Sequence, residues 1–132
     1  MKNQTISQNS APSSTILLVD DNPDIRLLLS LTLAPKYTLL EAADGLSALQ
    51  MIARQRPRIV LLDIMMPGEL DGLQVLDAIK GDEQLKDILV GIVSARSQTA
   101  DSAAARMQGA DAYFVKPFSP RDIKTWIESQ LP

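Results

Sequence analysis

Two hydrophobic patterns alternate along the chain. Short apolar runs occur at "TILLVDD", "YTLLEAA", "RIVLLDIM", "DILVGIVSA" and "AYFVKPF". Near-continuous runs of this kind suit strands buried on both faces, as in a parallel sheet covered by helices. After each run comes a segment whose apolar residues recur at helical spacing. The first helix is expected from Pro23, with Asn22 as its N-cap and Ile25, Leu28, Leu29, Thr32 and Leu33 on its inner face. The second follows Asp44-Gly45, with Leu46, Leu49, Ile52 and Ala53 inward. The third follows Asp71-Gly72, with Leu73, Leu76 and Ile79 inward. A fourth starts near Ser97, carries the stripe Ala100, Ala103, Ala104 and Met107, and stops at Gly109, a residue suited to the turn beyond a helix end. The fifth opens at Ser119-Pro120, with Ile123, Trp126, Ile127 and Leu131 inward.

This alternation predicts an α/β fold with a doubly wound, five-stranded parallel sheet and five helices on its two faces. No repeat of roughly 20–50 residues accompanies it, which argues against a solenoid. Residues 1–14 are rich in Ser, Asn and Gln with little to bury, and are expected to form a flexible tail before a domain at 15–132.

Composition narrows the function. The 132 residues suffice for one domain with a real core. A net charge of -3 and no basic cluster argue against a nucleic-acid or anionic-membrane footprint. The chain has no cysteine and no histidine. That removes thiolate chemistry, Ser-His-Asp catalysis, His-ligated metals and a phosphohistidine carried by this chain. No apolar stretch reaches membrane-spanning length, and the N-terminus lacks the apolar centre of a signal peptide, so a cytoplasmic location is expected.

The stretch "RIVLLDIMMP" runs four apolar residues straight into Asp63. An ionised carboxylate at the end of a buried strand is costly unless paired or bound to metal. In doubly wound sheets the ligand site lies beyond the carboxyl ends of the strands. Those ends carry Asp20-Asp21, Asp63, Ser94-Ala95 and Lys116-Pro117. Taken singly, each has a plainer explanation: a turn before the first helix, a strand-end cap, a core hydroxyl, an ordinary strand exit. Tyr113 alone reads as a large edge residue with a wet hydroxyl. Together at one edge they point to chemistry. Clustered carboxylates call for a hard cation, and magnesium takes oxygen ligands while leaving room for phosphate. Carboxylates form aspartyl phosphates, and an ammonium and a hydroxyl nearby would stabilise phosphoryl oxygens. Trp126 and Met107 read as core.

"LLVDDNP", "LLDIMMP", "SA" after an apolar strand and "YFVKPF", in that order and spacing, resemble the receiver domains of two-component response regulators. The resemblance covers Thr15 to Leu131. It implies a flavodoxin-like strand order, 2-1-3-4-5. It implies that Asp63 is the phosphoacceptor, that Asp21, Asp63 and the backbone carbonyl of Met65 bind magnesium, and that Asp20 acts mainly through a metal-bound water. It gives Ser94 and Lys116 the role of contacting the phosphoryl group, makes Ser94 and Tyr113 the switch pair, and implies a cis Lys116-Pro117 bond. The expected phosphodonor is a sensor histidine kinase or histidine phosphotransfer protein. The expected output is a protein bound at the face of the fourth helix, fifth strand and fifth helix, by a monomer or a phosphorylation-dependent dimer.

One departure stands out. "GEL" between Pro67 and Asp71 makes the loop one residue longer than the commonest receiver pattern. A stand-alone receiver is the leading expectation, a phosphoacceptor with self-phosphorylation and autodephosphorylation activity. A receiver excised from a hybrid kinase or larger regulator is the alternative. An aspartyl-phosphate phosphohydrolase would want a second acid two positions after the nucleophile, where this chain has Met65. A flavin-binding domain would not want the acidic "DDNPD" at its phosphate loop. Finally, at about 100° per residue, Leu27 and Leu31 point away from the inner stripe of the first helix. They suggest an exposed docking patch for a helical phosphodonor.

Overall fold

The structure is a computed structural model that describes residues 14–66, 68–95, 105–106 and 108–131. Strands β1 (Thr15–Val19), β2 (Thr38–Ala42), β3 (Ile59–Leu62), β4 (Leu89–Ser94) and β5 (Ala112–Val115) form one parallel sheet. Their order is β2-β1-β3-β4-β5, as the resemblance implies. Successive residues of a strand face opposite sides of the sheet, so the apolar runs feed two cores. Leu17, Val19, Val60, Leu62, Val90 and Ile92 enter one. Ile16, Leu18, Ile59, Leu61 and Val93 enter the other.

Four helices are present among the described residues: α1 (Pro23–Leu33), α2 (Gly45–Gln55), α3 (Gly72–Lys80) and α4 (Pro120–Gln130). Each starts where a capping side chain binds an otherwise unpaired N–H. Asn22 accepts from the Asp24 amide at 2.9 Å, and Asp44 from the Ser47 amide at 2.8 Å. Asp71 and Gln74 cap each other reciprocally, and Ser119 accepts from the Asp122 amide at 3.4 Å. Residues of α1 and α4 pack on one face of the sheet, those of α2 and α3 on the other. The helix expected from Ser97, with Ala100, Ala103, Ala104 and Met107, falls on residues 96–104 and 107, outside the described residues, as does the expected tail up to residue 13. Its expected end is seen: Gly109 has φ +99°, its amide donates to Arg106 and the Ala110 amide to Ala105, both at 3.0 Å.

Three expected inward residues are corrected. Leu28 is 40% and Leu46 54% exposed, and Ala53 is exposed too. The buried face of α2 is instead Gly45, Ala48 and Ile52. Ala48 and Ile52 join the core under the sheet, while Gly45, where a Cβ would lie 2.7 Å from the Leu70 carbonyl oxygen and 2.9 Å from Val75 Cγ2, lets the helix start close against Leu70 and α3. Leu46 is thereby rotated outward. On α1 the buried positions are Leu29 and Leu33, and Leu28 turns toward the carboxyl edge of the sheet. Ile123, Ile127 and Leu131 are buried as expected, and Trp126 packs edge-on against Phe114, ring centroids 5.8 Å apart.

Candidate functional site

The backbone continues in register just past the strands, and this holds two acids in place. The Asp20 amide donates to the Ala42 carbonyl at 3.2 Å, and the Asp63 amide to the Val19 carbonyl at 3.0 Å. Both residues are buried at 4% exposure, whereas Asp21 is exposed. One carboxylate oxygen from each of Asp20, Asp21 and Asp63 lies within 4.8 Å of the others. All three donors are hard oxygens, so the set fits magnesium.

Lys116, on the turn after β5, reaches into this cluster. Its Nζ donates to Asp20 Oδ2 at 2.7 Å and, more weakly, to Asp63 Oδ2 at 3.4 Å. Burial works against the ammonium, yet its hydrogen bond to Asp20 and the charges of Asp63 and Asp20 outweigh that and hold its pKa above the ordinary value. Burial pushes the Asp63 carboxyl up. The Met65 amide, donating to Oδ1 at 3.0 Å, and the Lys116 charge oppose the rise, while Asp20 adds to it. Asp63 is thus a desolvated carboxyl whose upward shift is restrained by a specific amide and ammonium.

Ser94 is fully buried at the end of β4, and its carbonyl accepts from the Lys116 amide at 2.7 Å. Tyr113 is half-buried on β5, paired in register with Ile92. The Lys116-Pro117 bond is cis, as the resemblance implies. The structure therefore brings Asp20, Asp21, Asp63, Met65, Ser94 and Lys116 to one edge, with Tyr113 on the neighbouring strand. The "GEL" loop, Gly68 to Leu70, borders a groove of about 450 Å³ with Ala43, Asp44 and Leu46, beside the cluster but outside it.

Three contributors escaped the sequence reading. Gly72 donates its amide to the Ile64 carbonyl at 2.9 Å, and a Cβ there would lie 2.2 Å from the Asp63 carbonyl oxygen. Its sequence signal was only that of a helix start. Arg26 and Glu41 pair at 2.9 Å behind the Asp20 backbone, and no local pattern connects them.

Residues 16–128 match the family model of the response regulator receiver domain. The chain belongs to this family. The receiver is 38% identical over 117 residues to the "Probable transcriptional regulator ycf27" of Porphyridium aerugineum, covering 88% of this chain and 47% of that protein. It is 36% identical over 121 residues to the "Polar-differentiation response regulator DivK" of Brucella anthropi, covering 91% and 97%. Among solved structures, the receiver domain of NtrX from Brucella abortus is similar with a TM-score of 0.80 at 36% identity, covering 88% of this chain and 97% of that one. The receiver spans about half the length of the first curated relatives it matches. The phosphohydrolase reading is not favoured by these relationships. No helix among the described residues is long and apolar enough to cross a membrane.

Proposed function

We propose that this receiver takes a phosphoryl group onto Asp63 from the phosphohistidine of a sensor kinase or phosphotransfer protein, in the cytoplasm. The observation that carries the reading is the cluster of Asp20, Asp21 and Asp63 with Lys116 Nζ at its rim. Asp21, Asp63 and the Met65 carbonyl would hold magnesium, with Asp20 acting through a bound water. When bound, the cation offsets the combined negative charge of the carboxylates and the incoming phosphoryl group. An Asp63 oxygen forms the new bond to phosphorus as the bond from phosphorus to the donor imidazole nitrogen breaks. Lys116 neutralises phosphoryl oxygens, and the Ser94 hydroxyl donates to one of them.

The output follows from packing. A phosphoryl group adds about two negative charges and three acceptor oxygens. Ser94 drawn toward it frees room that Tyr113 fills by turning inward, so two packings of one region are biased by phosphorylation. The face that changes holds β5 and α4, where a downstream protein or a second copy binds. The test is intact mass after exposure to acetyl phosphate. One phosphate should add with magnesium present, and none with chelator or in Asp63→Asn. Equal labelling of Asp63→Asn overturns the assignment.

A further inference from the structure

Arg26 lies in the first turn of α1 with its side chain 18% exposed. Its Nη1 donates to the backbone carbonyl of Asp20 at 2.7 Å, and its Nε donates to Glu41 Oε1 at 2.9 Å. Glu41 sits on β2 opposite Leu18. One guanidinium thus ties the first helix, the neighbouring strand and the backbone of the acidic pair together. Two donors of a planar fork are engaged at once, which an ammonium could not reproduce.

We infer that Arg26 is a positioning residue for the divalent-cation site, acting on Asp21 through the Asp20–Asp21 peptide. The inference rests on the cation-site reading above. The carbonyl of Asp20 and the amide of Asp21 share one rigid plane. Holding that carbonyl sets the plane, and the plane sets the direction in which the Asp21 side chain leaves the backbone. Asp20 has other restraints: its Oδ1 accepts from the Asn22 amide at 2.9 Å and its Oδ2 from Lys116. Asp21 is exposed, and among the described residues nothing hydrogen-bonds its carboxylate. Its placement therefore depends on its backbone. Glu41 holds the guanidinium in orientation and cancels a positive charge that would otherwise oppose a cation.

Calorimetric titration of metal-free protein with magnesium tests this, alongside amide NMR. Arg26→Met keeps the apolar stem and removes both donors. It should raise the magnesium Kd about tenfold or more, the effect typical of removing a group that orients a metal ligand. The Asp21 amide resonance should shift before any metal is added, and phosphate uptake from acetyl phosphate should recover at saturating magnesium. Glu41→Gln, at an exposed position that leaves folding intact, should give a smaller rise in Kd. Lys36→Met, which breaks the surface pair with Glu128 elsewhere on the fold, should leave Kd unchanged. A Kd within twofold of the parent in both Arg26→Met and Glu41→Gln overturns the positioning role, as does tighter binding, which would make Arg26 a source of repulsion. Failure of the parent itself to bind magnesium overturns the cation-site reading as well.

Discussion

Gly72→Ala tests how tightly the acceptor is held from behind. A Cβ at Gly72 would lie 2.2 Å from the Asp63 carbonyl oxygen, 2.5 Å from the Ile64 Cα and 2.8 Å from the Asp63 carbonyl carbon. Each of these is a backbone atom, so no side chain can swing aside. Real Cβ contacts essentially never fall below 3.0 Å, so the Asp63–Ile64 backbone or the start of α3 must move by about 0.8 Å or more. Overpacking of this kind costs about 1–3 kcal/mol. For a chain of this size that corresponds to a drop of about 4–11 °C in Tm. Displacing the nucleophile by nearly 1 Å should also slow phosphate uptake by about 10–100-fold. Thermal melts and time-resolved intact mass with acetyl phosphate measure the two effects. Gly68→Ala is the comparison. Gly68 has φ +105° with nothing within 4 Å of the place a Cβ would take, so the substitution should cost about 1–2 kcal/mol in backbone strain and keep the parental uptake rate. A Gly72→Ala protein that melts within about 2 °C of the parent and phosphorylates at the same rate refutes the reasoning.

Two further outcomes are expected. Burial raises the Asp63 pKa, so the folded state holds that proton more tightly than the unfolded chain; the resulting stabilisation is present below the ordinary carboxylate pKa and is lost as pH rises through the raised value. Metal-free Asp63→Asn should therefore melt above the parent at neutral pH, with the gap closing as pH falls toward about 4; a gap that widens on acidification contradicts this. Leu27 and Leu31 are 57% and 72% exposed on α1, beside a groove of about 440 Å³ lined by Ile25, Leu28, Ala95, Lys116, Pro117 and Phe118. Leu27→Ser with Leu31→Ser should slow transfer from a phosphohistidine donor about tenfold while leaving acetyl phosphate labelling unchanged; equal losses with both donors would indicate a folding defect.

Much of this protein is legible in local patterns. Asn22, Asp44, Asp71 and Ser119 mark the helix starts because capping involves only residues two or three positions away. The apolar runs mark β1, β3 and β4 most clearly because a strand covered on both faces needs apolar residues on both, while the edge strands β2 and β5 are less buried and carry exposed residues such as Glu41. Asp63 stood out because a carboxylate at the end of such a run needs a reason. What the tertiary structure decided is how the elements approach one another. Helical spacing placed Leu46 and Ala53 inward, but packing on two sides at once, Ala48 and Ile52 in the core and Gly45 against Leu70 and Val75, turned another face inward. Arg26 meets Glu41 only because α1 crosses the edge where β2 ends. Lys116 pairs more closely with Asp20, 96 residues away, than with Asp63. Such distances depend on the crossing of whole elements, and no periodicity within one segment encodes them.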